Sequence, residues 1–144
     1  MIVKAPRAAV YAALLDPAAI ERWRVPEGMT SHVHSFEARE GGAFRVSLTY
    51  SGAGVGKSAE HTDTYHGHFA RLVPDELVVE VLEFETADPA MQGTMMMTTT
   101  LADAPGGTEV VITHEGLPPG ISPADNDLGT RMALTNLAHL LEST

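Results

Sequence analysis

The sequence predicts an α+β fold in which a curved antiparallel sheet wraps a long C-terminal helix. Three observations predict it: helical spacing of apolar residues in the first 23 positions, period-two alternation from about residue 30 to residue 115, and a return to helical spacing after Ser122. In chain order this gives one strand, two short helices, six more strands and a last helix, hence a sheet of about seven strands.

The opening "MIVKAP" is a short strand stopped by Pro6, and the following "RAAVYAALL" places Val10, Tyr11 and Leu14 at helical spacing. Asp16-Pro17 restarts the chain, because Asp suits the N-cap and Pro the first helical position, so "DPAAIERW" forms a second short helix ending near Trp23. In "GGAFRVSLTY", Phe44, Val46, Leu48 and Tyr50 share one face and Arg45, Ser47 and Thr49 the other, as a strand with one buried face requires. Gly41-Gly42 turns the chain into this strand from "SHVHSFEARE". The meander continues through "TDTYHGHFARLV", "ELVVEVLEFE", "QGTMMMTTTLA" and "TEVVITHEG", separated by the turn residues of "PD", "TADPA" and "ADAPGG". Ser122-Pro123 opens the last helix, with Asp125 and Asp127 near its positive end. Thr130, Ala133, Leu134, Leu137, Leu140 and Leu141 fall on one broad face, opposite Arg131, Thr135 and His139.

Composition narrows the functional classes. At 144 residues and 44% hydrophobic content the chain suits one domain spanning 1–144. With no cysteine, neither disulfides nor thiolate metal sites hold it together, and a reducing, cytoplasmic location is expected. The N-terminus does not read as a secretory leader, and no apolar run reaches the ~18 residues of a membrane span. A formal charge of -10 repels phosphate backbones and anionic lipid surfaces, which argues against nucleic-acid binding.

Several motifs come close to chemistry and fall short. "SGAGVGKS" at 51–58 nearly spells a phosphate-binding loop, but Ser51 stands where glycine is wanted, and a strand, not a helix, follows the lysine. His32 with His34 and His66 with His68 each point two rings to one side of a strand. The strand between them sets the pairs about 9–10 Å apart at ~4.8 Å per strand, too far for nitrogens that must lie ~2.1 Å from one metal. There is no HExxH, no acidic calcium loop and no G-x-S-x-G, so neither a metal nor covalent catalysis is implied. Glu80, Glu83 and Glu85 are further acids, on faces that the sequence leaves open.

The run "GTMMMTTTL" at 93–101 separates cleanly by alternation. Met95 and Met97 share a face with Thr99 and Leu101, while Met96 shares the other with Thr94, Thr98 and Thr100, so the first pair is expected to point inward. Flexible, polarizable thioethers either fill a core or form an adaptable wall of a binding pocket. Both readings stand at this point.

The ordered set "AP..AVYAALLDPAAIERW" (5–23), "GGAFRV" (41–46), "GHFARLVPDELV" (67–78), "GGTEVVITHEGLP" (106–118) and "LGTRMALTNLAHLLE" (128–142) resembles the heat-shock ATPase activator-like (AHSA-type) branch of the SRPBCC, START and Bet v 1-like superfamily. The resemblance covers nearly the whole chain. It implies a helix-grip fold with a cavity between the sheet and the C-terminal helix, and leaves the ligand open, since a shared fold does not give a shared function. The family tends to keep a histidine where His114 stands, and commonly carries Gly-Trp where this chain has Gly129-Thr130. The missing indole implies a roomier, more polar pocket here.

The expected lining comprises Trp23 from the second helix; Phe36; Phe44, Val46, Leu48 and Tyr50 from one strand; Met95, Met97 and Thr99 from another; Ile112 and His114; and Thr130, Leu134 and Leu137 from the last helix. The expected partner is a small hydrophobic or amphipathic molecule, with no cofactor. Two alternatives remain. One is a cofactor-independent enzyme resembling the polyketide cyclases, with His114 or a pocket glutamate as its acid or base. The other is a chaperone-interaction module, for which the sequence offers no advertised surface. Whether the chain forms a homodimer is left open by the sequence.

Overall fold

The computed structural model describes residues 1–26, 28–50 and 62–142. The phosphate-loop-like segment at 51–58 lies outside the described residues. One antiparallel sheet contains seven strands: β1 (Ile2–Val3), β2 (Met29–Phe36), β3 (Ala43–Tyr50), β4 (Thr62–Val73), β5 (Leu77–Phe84), β6 (Met95–Ala104) and β7 (Gly107–Glu115), in the spatial order β1-β7-β6-β5-β4-β3-β2. Two short helices, α1 (Arg7–Leu14) and α2 (Pro17–Trp23), follow β1, and the 20-residue helix α3 (Pro123–Glu142) ends the chain. This is a helix-grip fold.

Local chemistry explains the paired short helices. Pro6 precedes α1 in an extended conformation, and α1 buries Val10, Ala13 and Leu14. The Asp16 side chain accepts a hydrogen bond from the Ala18 backbone N–H at 3.0 Å, capping α2 at the point where Pro17 fixes the first helical φ. The Trp23 indole then donates to the Ala13 carbonyl at 3.0 Å, which ties the end of α2 back to α1.

The alternation holds along the sheet. Phe44 and Val46 on β3, Val78 and Leu82 on β5, and Met95, Met97 and Leu101 on β6 are all buried, while Met96 is exposed. The "PD" turn places Asp75 at φ 64°, an uncommon conformation for a residue with a Cβ, and the Arg7 guanidinium donates to its carbonyl at 3.0 Å. The β5–β6 connection is more than a turn: a 3-10 segment, Pro89–Met91, is capped by Asp88, whose side chain accepts from the Ala90 N–H. Gly67 faces inward on β4, where a Cβ would collide with the Val81 carbonyl oxygen.

The helix α3 buries Leu134, Leu137 and Ala138 and exposes Arg131, Thr135 and His139. Its backbone comes close to α1, α2 and β1 rather than to the central strands. The Asn136 side chain fixes that position by donating to the carbonyls of Trp23 (3.3 Å) and Val25 (3.0 Å). The helix is thus pinned at its second half. Over its first half, space is left between helix and sheet. Among the described residues no helix is long and apolar enough to cross a membrane.

Candidate functional site

That space is a cavity of about 440 Å³. Its floor is one end of the sheet, where successive strands each contribute two inward residues: Leu48 and Tyr50 from β3, Asp63 and Tyr65 from β4, Leu82 and Phe84 from β5, Met95 and Met97 from β6, and Ile112 and His114 from β7. The roof is the first half of α3, from Asp125 to Ala133, and Trp23 and Arg24 at the end of α2 close one side. The wall is mainly apolar, as small-molecule sites usually are.

The eight expected lining residues found here are Trp23, Leu48 and Tyr50, together with Met95, Met97, Ile112, His114 and Thr130. The other six stand elsewhere. Phe36, Phe44 and Phe69 form an aromatic cluster at the opposite end of the sheet, with ring centroids 5.4 Å apart for Phe36–Phe69 and 5.2 Å for Phe44–Phe69. Val46 and Thr99 are buried in the core, as are Leu134 and Leu137 on the half of α3 that is pinned. This division has one cause. Alternation assigns a residue to a face of the sheet, whereas the height of the helix above that face decides which part of each strand lines a cavity.

Alternation missed the polar corner of the cavity. Arg24, just past α2, reaches over the sheet and donates from Nη1 to the buried Glu80 carboxylate at 2.6 Å. Its Nη2 lies 3.6 Å from the Met97 sulfur, and the guanidinium carbon sits 5.4 Å from the centroid of the Tyr65 ring, within cation–π range. Burial alone would lower the pKa of Arg24, but the Glu80 carboxylate beside it prevails and raises it, so the guanidinium stays charged. Cross-strand register puts Glu80 opposite Met97 and Met97 opposite His114, so one row across β5, β6 and β7 carries the carboxylate, the thioether and the imidazole.

Three further groups of the cavity, His114, Tyr65 and Tyr50, are shifted toward their neutral forms. Burial lowers the His114 pKa below its ordinary 6.5, and the Arg24 charge lowers it further. Burial likewise raises the Tyr65 phenol, an effect that Arg24 partly offsets. Tyr50 is raised by burial and by Asp63, to which it donates at 3.1 Å. The Tyr65 hydroxyl is buried and has no hydrogen-bond partner, although its residue lines the cavity. A buried hydroxyl left unpaired is uncommon and calls for an explanation.

The histidine pairs lie outside this site. His66 is flanked on the outer sheet face by Glu85 (3.0 Å) and Glu83 (2.9 Å), and His34 meets the Ser47 hydroxyl at 2.7 Å. Among the described residues no group of three His, Asp or Glu side chains could hold a metal ion. Glu83 and, just past β5, Glu85 therefore face away from the cavity, and of these three acids only Glu80 faces in. A second hollow of about 520 Å³ runs along the outside of α3 past Arg22, Arg131 and Thr135, which are all exposed. Among the described residues it encloses no buried polar group.

A curved sheet gripping a terminal helix, with an apolar cavity between them, defines the helix-grip class of fold. Residues 4–142 match the family described as activator of Hsp90 ATPase homolog 1-like protein, and the chain belongs to that family. A protein of Chromobacterium violaceum is similar to it at 32% identity and a TM-score of 0.88, over 99% of this chain and 93% of its own. A protein of Rhizobium loti is 26% identical with a TM-score of 0.74, over 96% of this chain and 90% of its own. A Rhodobacter sphaeroides protein, 19% identical over 99% of this chain and 89% of its own, has a TM-score of 0.82 and shows the same fold alone. No curated protein matches the chain.

Proposed function

We propose that this protein binds a small, largely apolar molecule in the cavity between the sheet and α3. The observation that carries this reading is the apolar wall itself. Met95 and Met97 are almost fully buried yet face a space of about 440 Å³ rather than packed side chains alone. A well-packed core leaves few voids larger than a water molecule, so a space of this size beneath a helix suits an occupant. Burial of the occupant's apolar surface supplies about 2.5 kcal/mol per 100 Å². The flexible thioethers adapt the wall to its shape.

Thr130 supports the same reading. It lines the cavity on α3 and its hydroxyl donates back to the Asn126 carbonyl at 2.9 Å, so it presents a methyl group and little bulk. Native mass spectrometry of the purified protein, followed by the same measurement after denaturation, tests the proposal. A defined small-molecule mass that leaves on unfolding supports it. A protein that arrives empty and takes up none of a panel of apolar compounds contradicts it.

A further inference from the structure

We infer that the occupant of the cavity carries a neutral carbonyl-type oxygen, and that this oxygen accepts a hydrogen bond from the Tyr65 hydroxyl in the corner formed with Arg24 and His114. The inference rests on the cavity being a ligand site, as proposed above, and specifies the ligand's chemistry.

Three observations lead to it. Tyr65 is only 4% exposed, its hydroxyl lacks a partner, and its side chain lines the cavity. As a protonated phenol it is a donor in search of an acceptor, which water or a ligand oxygen must provide. The neighbouring cation adds to the demand. Arg24 spends one contact on Glu80 and one on the Met97 sulfur, a weak acceptor, and a guanidinium has five N–H donors. His114 lines the same cavity, and its ring, which makes no hydrogen bond among the described residues, is a further donor open to an occupant. The corner therefore holds an excess of donors.

Charge decides which kind of acceptor belongs there. The Arg24 guanidinium is already matched by the Glu80 carboxylate at 2.6 Å, and Asp63, only 3% exposed, lines the same cavity. A ligand carboxylate would bring a further negative charge into a site whose one buried cation is already matched, and would lose its hydration in doing so. A ketone, ester or amide oxygen accepts the same hydrogen bonds without adding charge. A pure hydrocarbon would leave the Tyr65 hydroxyl unpaired.

Trp23, the only tryptophan of the chain, lines the cavity and so reports on its occupancy by fluorescence. Three probes share a phenylalkyl body: 4-phenylbutan-2-one, 4-phenylbutanoate and butylbenzene. At pH 7.5 the ketone is expected to bind about tenfold more tightly than either of the others. In Tyr65→Phe, which removes only the unpaired hydroxyl, the ketone's advantage is expected to shrink by about fivefold to tenfold. Carboxylate binding as tight as the ketone's, or a ketone affinity unchanged in Tyr65→Phe, overturns the inference while butylbenzene binding leaves the cavity reading intact. If none of the three perturbs Trp23, the cavity reading falls and the inference with it.

Discussion

The Arg24 guanidinium and the Glu80 carboxylate meet at 2.6 Å inside the protein, with side-chain exposures of 16% and 5%. They come from the loop after α2 and the middle of β5, so the pair joins the helical layer to the floor of the cavity. Breaking such a pair leaves one buried charge uncompensated, which costs about 3–5 kcal/mol. Glu80→Leu and Arg24→Leu are each expected to lose that much stability in urea denaturation. The double substitution should recover most of it, since both charges are then gone. Equal, additive losses would show that the pair is not a coupled unit.

The thioethers give a second prediction. Met95 and Met97 are buried and Met96 is 38% exposed. Met95→Leu and Met97→Leu keep volume and should each cost less than about 1.5 kcal/mol, and Met96→Ala on the outer face should stay within about 0.5 kcal/mol. Thermal and urea unfolding measure all three. A larger loss at Met96 than at Met95 or Met97 would reverse the assignment of faces.

Bulk at Thr130 should matter for uptake. Thr130→Trp places an indole where α3 roofs the cavity, so it should reduce the binding of apolar probes about tenfold or more while the fold, read by circular dichroism, is kept. Undiminished uptake would mean that the cavity lies out of reach of position 130.

His114 sets an acid limit. Its pKa is lowered by burial and by Arg24, so the folded state binds its proton less readily than the unfolded chain does. As the pH falls below about 6.5 the unfolded state gains protons first, and stability should decline. His114→Gln should show a smaller loss between pH 6.5 and pH 5 than the unaltered protein, measured by urea denaturation at each pH. An identical pH dependence would contradict the shift.

Glu85, on the outer sheet face, is held in its charged form rather than its neutral one, and it too loses its contribution in acid. Hydrogen bonds from Arg45 at 2.8 and 2.9 Å, with a further one from His66, hold its pKa at about 2. A depressed carboxylate stabilises the fold fully above its ordinary value near 4.5, and that contribution declines as the pH falls from there and is gone below about 2. The stability difference between the unaltered protein and Arg45→Ala should follow that course. Because the pair is partly exposed, the difference should also shrink with added salt.

How far the sequence could be read depends on which physical signal each residue carries. Strand faces were legible because the side-chain period is two: Met95 and Met97 inward and Met96 outward follow directly from "MMM". The Asp16-Pro17 restart was legible because capping chemistry is local. The polar corner was not, since nothing in "WRV" says that Arg24 folds back over the sheet to Glu80, 56 residues further on. One signal was available: Glu80 alternates with the inward Val78 and Leu82, and an acid in a buried register needs a partner. Tyr65 shares its face with Asp63 and Phe69 and could have been found by carrying the alternation along β4. The position of Phe36, Phe44 and Leu137 away from the cavity follows from the height of α3 over the sheet, which is a tertiary quantity.

The most direct test of the central claim is a methyl NMR titration of the protein, labelled with carbon-13 at the methionine ε-methyl groups, using butylbenzene, which fills the cavity without relying on the polar corner. The cavity reading predicts that the resonances of Met95 and Met97, which line the space, shift with saturation, while those of Met1 and Met96, both exposed and outside it, stay in place. Shifts at Met96 instead, or none at Met95 and Met97 up to the solubility limit of the probe, would contradict it and return those thioethers to the role of core filling.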